Sequence, residues 1–105
     1  MHDEREYERV TPRTIVVGSS AGGLDSLTAL LGAVPARTGW CFVIAQHVAP
    51  TNRSMLVDLL QRITPMRVVE ASDGARLEPD VVFVAPPGSD VVVRDDAVGL
   101  TAADG

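Results

Sequence analysis

The segment that decides the fold is residues 14–24, which read TIVVGSSAGGL. Residues 14–17 are a short, mostly β-branched run, which is typical of a buried strand. Residues 18–23 are all small, and a run of small residues after a strand is typical of a tight turn. From Leu24 onward leucines recur at helical spacing until Pro35. The segment therefore predicts a strand, a tight turn and a helix.

The next part of the chain repeats the order of a strand followed by a helix, and the last part contains no further helical pattern. A second apolar, strand-like run is followed by a second helical apolar pattern, after which only short strand-like runs occur. The predicted elements are a strand at 41–45, a helix at 55–63 that ends before Pro65, and strands at 67–70, 81–85 and 91–93.

This order predicts an α/β domain with a doubly wound, mostly parallel, Rossmann-like sheet and helices on both faces. The closely spaced strands after residue 81 are candidates for antiparallel pairing at the edge of that sheet. A last strand-like run begins at 97–100, and the sequence then stops without a closing helix. We therefore expect a domain that is incomplete at its C-terminus. Residues 1–13 are charged and are expected to form a flexible lead-in, so that the domain begins at residue 14.

Composition excludes several classes of protein. The 105 residues carry nine Lys+Arg against fourteen Asp+Glu, a net charge of -5, which argues against a nucleic-acid partner. No apolar stretch reaches the ~18 residues that span a bilayer, and the charged N-terminus is unlike a signal peptide. We expect a cytoplasmic protein without membrane insertion. The single cysteine, Cys41, is expected to be a small buried residue, and neither a metal nor a cofactor is predicted.

The turn contains a candidate nucleophile. Gly18, Ser20 and Gly22 satisfy the G-x-S-x-G pattern of a nucleophile elbow, in which a sharp turn lifts the serine out of the sheet. The backbone N–H of Ala21, near a helix N-terminus, is then placed to stabilise an oxyanion. The alternative is an anion-binding or purely structural turn. The two specific nucleotide motifs fail, because a P-loop needs lysine where Leu24 stands and the dinucleotide fingerprint needs glycine at position 20.

A serine nucleophile needs a base, and His47 is the candidate. It directly follows the second predicted strand, so a parallel sheet brings it to the same carboxyl edge as Ser20. Arg53 is a weaker candidate for binding an acidic substrate. No aspartate stands out as the third member of a triad. The aspartates considered are Asp25, Asp58, Asp73, Asp80, Asp90, Asp95, Asp96 and Asp104.

The motifs together resemble one family. The run IVVGSSAGGL at 15–24, followed by VIAQHVAP at 43–50, resembles the catalytic domain of bacterial chemotaxis protein-glutamate methylesterases. The Asp-Gly turn at 73–74 and the run VFVAPPG at 82–88 resemble the next segment of the same family. The likeness covers residue 14 to about residue 94, and several motifs in order are far more specific than G-x-S-x-G alone.

The resemblance implies a serine hydrolase that removes methyl esters from chemoreceptor glutamates in chemotaxis signalling and often also deamidates receptor glutamines. It implies that Ser20 is the nucleophile and His47 the base, and that 14–105 is the N-terminal part of the catalytic domain. The family's catalytic aspartate lies late in the domain, and no residue here matches it. The expected partners are methylated chemoreceptor helices and a regulatory domain or signalling partner outside this chain. The alternative is a catalytically incomplete or degenerate domain that binds a receptor or partner without turnover.

Overall fold

The computed structural model describes residues 12–19, 24–46, 53–86 and 88–102. These residues form six strands and two helices. The elements are β1 (Arg13–Ser19), α1 (Leu24–Ala33), β2 (Trp40–Gln46), α2 (Arg53–Ile63), β3 (Arg67–Glu70), β4 (Val81–Val84), β5 (Ser89–Arg94) and β6 (Ala97–Ala102).

Four strands form one sheet in the order β1-β2-β4-β3, and every neighbouring pair is parallel. The predicted α/β class with a mostly parallel sheet is therefore confirmed. β1 begins at Arg13, within the stretch expected as a lead-in, and residues 1–11 of that stretch lie outside the described residues. The strand order differs from the chain order, because β4 lies between β2 and β3.

One face of the sheet is covered by the two helices. Alternate residues of a strand point to opposite faces, and Phe42 and Ile44 of β2 lie on the same side as the buried leucines of both helices. Leu31 and Leu60 are fully buried there. This first core comprises Leu27, Leu31, Phe42, Ile44, Leu56, Leu60, Met66, Val68, Val82 and Val84.

The other face is covered without a helix in the described residues. Cys41 and Val43 of β2 lie on this side, together with Val98 of β6. This second core comprises Cys41, Val43, Ala71, Leu77, Val81, Phe83 and Val98. The sequence predicts helices on both faces, whereas α1 and α2 both pack on the first core. The reason is that residues 71–80, which connect β3 to β4, carry turns and no helical apolar spacing.

The cover of the second face is a small β layer. β5 and β6 pair antiparallel, as the sequence suggested, but they form a separate sheet instead of extending the edge of the parallel one. Their two-residue turn, Asp95 and Asp96, has φ values of 51° and 69°, which is the backbone geometry of a type I′ hairpin turn.

The free side of β6 is hydrogen bonded to the segment that connects β3 to β4. The Gly74 N–H donates to the Val98 carbonyl at 2.7 Å, and the Val98 N–H donates to the Ala75 carbonyl at 2.8 Å. The Leu100 N–H donates to Asp73 Oδ1 at 2.8 Å, so a carboxylate replaces a strand carbonyl. The hairpin is thereby attached to the parallel sheet through this connection.

Side-chain bonds fix the amino edge of the sheet. Asp80, with a φ of 65°, accepts hydrogen bonds at Oδ1 from the N–H groups of Thr38 at 2.8 Å and Gly39 at 2.9 Å. Its own N–H donates to the Trp40 carbonyl at 2.7 Å. These bonds hold the start of β2 beside the start of β4, which sets the level at which both strands reach the carboxyl edge.

Candidate active site

The carboxyl ends of β1 and β2 lie side by side. The two strands are parallel and in continuous register from Arg13 opposite Trp40 to Ser19 opposite Gln46. β1 is rich in β-branched residues and β2 in apolar ones, and Ile15 and Val17 pack on the first core beside Phe42. The two strands therefore end at the same level of the sheet, which is the edge where open α/β sheets bind their ligands.

The residues predicted to react come directly after these two strand ends. Ser20 follows Ser19, and His47 follows Gln46. Ser20, Ala21 and His47 themselves lie outside the described residues, so their roles stay predictions. The register of the preceding residues agrees with the expectation that a parallel sheet brings the nucleophile and the base to one edge.

α1 begins where the sequence analysis expects a helix, whereas α2 begins two residues before the predicted start at residue 55. α1 begins at Leu24, directly after the Gly-rich run, and α2 begins at Arg53. Arg53 is thus the first residue of a helix that follows β2, while its side chain lies outside the described part of the chain. In the described residues no helix is both long and apolar enough to cross a membrane.

Sequence reasoning missed the segment that follows β4. Because β4 lies next to β2, residues 85 and 86 leave the sheet beside the end of β2. The Ala85 N–H donates to the Ile44 carbonyl at 2.8 Å, and this bond continues the pairing with β2 beyond the end of β4. Chain order alone would place β3 beside β2. The connection at 71–80 does not signal this order, because β3 and β4 are parallel neighbours whether β4 lies between β2 and β3 or outside β3.

Most of the aspartates considered as a third triad member accept backbone hydrogen bonds, lie exposed on a helix or strand, or form the hairpin turn. Asp73 and Asp80 accept backbone hydrogen bonds, as described above. Asp58 is exposed on α2, and Asp90 is exposed on β5. Asp95 and Asp96 form the hairpin turn, and Asp96 lies 3.7 Å from the Arg76 guanidinium. The side chains of Asp25 and Asp104 are outside the described residues.

Cys41 is a core residue, as predicted. Its side chain is fully buried in the second core. Burial raises the pKa of the thiol from 9.0 to about 11, against the smaller lowering effect of hydrogen bonds from the Glu78 backbone and the Thr14 side chain. A buried, protonated thiol is a poor nucleophile. Among the described residues, no cluster of three or more His, Cys, Asp or Glu side chains is arranged to hold a metal ion.

An open groove of about 320 Å³ lies on the hairpin and the adjoining turn at 73–74, away from the ends of β1 and β2. Val92, Arg94 and Thr101 contribute to its lining. The Val92 side chain packs directly over Gly99, where a Cβ would lie 2.9 Å from a methyl carbon of Val92. The described residues that line the groove include no histidine or cysteine.

Comparison with known proteins agrees with this fold. The CheB methylesterase family matches residues 15–104. A protein-glutamate methylesterase/protein-glutamine glutaminase of Maricaulis maris is 35% identical over 91 residues, which are 87% of this chain and 23% of that protein. A protein of the same name, numbered 1, from Rhizobium johnstonii is 40% identical over 80 residues, 76% of this chain and 23% of that protein.

A solved structure matches as well. The crystal structure of the Thermotoga maritima CheB methylesterase catalytic domain superposes with a TM-score of 0.75 at 28% identity, over 90% of this chain and 52% of that one. The chain thus spans about a quarter of the length of these curated relatives and about half of the solved domain. Over nearly its whole length, the chain belongs to the CheB methylesterase family.

Proposed function

We propose that residues 14–105 are the N-terminal part of a catalytic domain that hydrolyses methyl esters of chemoreceptor glutamates in chemotaxis signalling. Ser20 is the nucleophile and His47 the general base. The observation that carries the proposal is the pairing of Ser19 with Gln46 at the carboxyl ends of two neighbouring parallel strands. Membership of a methylesterase family and the names of the relatives support the same reaction.

The proposed reaction has two steps. His47 takes the proton of the Ser20 hydroxyl as its oxygen attacks the ester carbonyl, and the Ala21 backbone N–H stabilises the resulting oxyanion. The intermediate collapses to a glutamyl ester of Ser20, and His47 returns the proton to methanol. Water then attacks this ester and releases the glutamate carboxylate and free Ser20. A receptor glutamine follows the same course with ammonia as the leaving group.

Two groups complete the proposal. We assign the carboxylate that orients His47 to the remainder of the catalytic domain, outside these 105 residues, since Asp73 and Asp80 already serve as backbone acceptors. Arg53, at the start of α2, is proposed to contact acidic residues of the receptor helices. The proposed setting is the cytoplasm, where the signalling part of a chemoreceptor lies.

The adjacent serines allow a well-matched test. A serine-reactive fluorophosphonate is incubated with the chain, and the labelled residue is located by mass spectrometry alongside methanol release from a methylated receptor. We expect label on Ser20, loss of label and of methanol release in Ser20→Ala, and near wild-type behaviour in Ser19→Ala. Without the orienting carboxylate, turnover should be roughly 10⁴-fold below that of a complete triad, so long incubations are needed. Undiminished methanol release from Ser20→Ala would overturn the proposal.

The two histidines provide a second control. His47→Asn should slow labelling of Ser20, while His2→Asn should leave the rate unchanged. A rate equally insensitive to both substitutions would contradict the role of His47.

The receptor-binding alternative has a distinct outcome. A chain that binds a receptor cytoplasmic fragment in calorimetry, but neither labels at Ser20 nor releases methanol, is a binding module. Arg53→Ala should weaken that binding if the arginine contacts the receptor, whereas Arg62→Ala, at the other end of α2, should not.

A further inference from the structure

The outer edge of the hairpin is exposed and apolar. Within the described residues β5 pairs with β6 alone, while the other side of β6 is bonded to the segment at 73–77. Val92 and Val93 of β5 have 39% and 38% of their surface exposed. An exposed strand edge with apolar side chains is a template for pairing with another strand.

The hydrogen-bond pattern shows which groups of β5 face outward. In an antiparallel pair, residues alternate between those that bond to each other and those whose N–H and C=O groups point away from the partner. Val98 and Leu100 bond to the 73–77 segment, so their backbone groups point away from β5. Their register partners are Val93 and Val91. The N–H and C=O groups of Val91 and Val93 therefore point to the free edge.

We propose that this edge pairs with the same edge of a second copy of the chain, antiparallel, about a two-fold axis at Val92. In that register, Val91 of one copy lies opposite Val93 of the other, and these are the residues with outward-pointing backbone groups. Four hydrogen bonds follow, two for each of the two Val91–Val93 pairs. Val92 packs on its own symmetry mate, which covers exposed apolar surface.

Charge selects this register. Asp90 and Arg94 lie two residues on either side of Val92, both are exposed, and alternate strand residues share one face. Antiparallel pairing centred on Val92 places Asp90 of each copy directly opposite Arg94 of the other, and opposite charges in this position stabilise a strand pair. A shift by two residues in either direction places one of these charges opposite a valine. Charged residues usually protect a strand edge from pairing, but here their symmetry makes the edge complementary to itself.

The contact is smaller than a standard protein interface, so a weak dimer is expected. Sedimentation equilibrium of the chain from about 10 μM to about 1 mM should show the average mass rising from that of a monomer toward twice that value. Asp90→Arg and Arg94→Asp each place like charges opposite one another twice, and each should raise the dissociation constant at least roughly tenfold. Asp58→Arg makes the same charge change on the exposed surface of α2 and should leave the dimer intact.

The mixture of the two single variants is the decisive sample. Combining Asp90→Arg with Arg94→Asp chains gives a heterodimer in which every facing pair is again opposite in charge. We expect dimer in the mixture and in the doubly substituted chain, and monomer in each single variant alone. Monomer in the wild type at the highest concentration would overturn the proposal, as would a dimer that neither single substitution weakens.

A backbone variant tests the edge itself. Val93→Pro removes an N–H that points away from β6, so the hairpin bonds remain while two of the four proposed intermolecular bonds are lost, one from each copy. Dimer formation should fall with the circular dichroism spectrum unchanged. A dimer that persists in this variant would mean that another surface forms the contact.

Discussion

The two faces of the parallel sheet are covered in different ways. α1 and α2 cover the first face with leucines, and this cover reaches β1, where Ile15 and Val17 are partly buried. The hairpin covers the second face and stops short of β1, so Val16 is 52% exposed although its register partner Val43 is fully buried. Among the residues that the structure describes, β1, which leads to the candidate nucleophile, is therefore covered on one side. The first face is stabilised mainly by the apolar area that the helices bury, whereas the hairpin on the second face is also held by hydrogen bonds to the 73–77 segment.

The largest expected effect is on the helix-covered face. Leu60→Ala removes a fully buried side chain of the first core and should lower the free energy of unfolding by about 3 kcal/mol, as measured by urea denaturation. Leu59→Ala is the matched control, because Leu59 directly precedes Leu60 in α2 and is 37% exposed. Equal losses in the two variants would mean that α2 does not pack as described.

The hairpin-covered face predicts a contrast between register partners. Val43→Ala should cost about 2.5 kcal/mol because Val43 is fully buried in the second core. Val16→Ala, at the same level of β1, should cost less than about 0.5 kcal/mol. Equal losses in the two variants would mean that Val16 is buried in solution. The difference between the two faces at β1 would then be contradicted.

Because Cys41 is buried in the second core, we expect its thiol to make the free energy of unfolding depend on pH. Its pKa is raised from 9.0 to about 11, so the folded state holds the thiol proton more tightly than the unfolded state. The stabilisation is fully present below pH 9 and is lost as the pH rises through about 11, up to about 2.7 kcal/mol in all. The free energy of unfolding should therefore fall more steeply over this interval in the wild type than in Cys41→Ala. Parallel profiles would contradict the assignment of the slope to this thiol.

The two faces also differ in how far the sequence predicts them. The leucine spacing of α1 and α2 and the apolar runs of β2 and β4 predict the helix-covered face, because both signals are local. The bond from Leu100 to Asp73 joins residues that are 27 positions apart, and nothing in the Asp73-Gly74 turn indicates its partner. The position of β4 between β2 and β3 also depends on distant packing. For the site, the sequence predicts that β1 and β2 end at one edge, and Ser19 does lie opposite Gln46, whereas the roles of Ser20 and His47 stay predictions.

A smaller effect tests whether directional bonds hold the hairpin in place. Asp73→Ala leaves the Leu100 N–H without its acceptor and should cost about 1 kcal/mol. Asp73→Asn keeps an oxygen at the same position and should recover most of that loss. Hydrogen exchange at the Leu100 amide should be faster in the alanine variant and near the wild-type rate in the asparagine variant. Slow exchange in both would show that another group protects this amide.

The smallest expected effect is at the hairpin turn, and its sign is stabilising. Asp95 has a φ of 51°, in the left-handed region, where asparagine is better tolerated than most residues and is preferred at the first central position of a type I′ turn. Asp95→Asn should raise the free energy of unfolding by about 0.5 kcal/mol. Asp58→Asn removes the same charge from an exposed helical position and controls for the lower net charge of the chain. A gain confined to Asp95→Asn would mean that the backbone geometry of the turn limits the stability of the hairpin. An equal gain in both variants would mean that the higher free energy of unfolding comes from weaker charge repulsion across the acidic chain. The turn geometry at Asp95 would then not contribute to it.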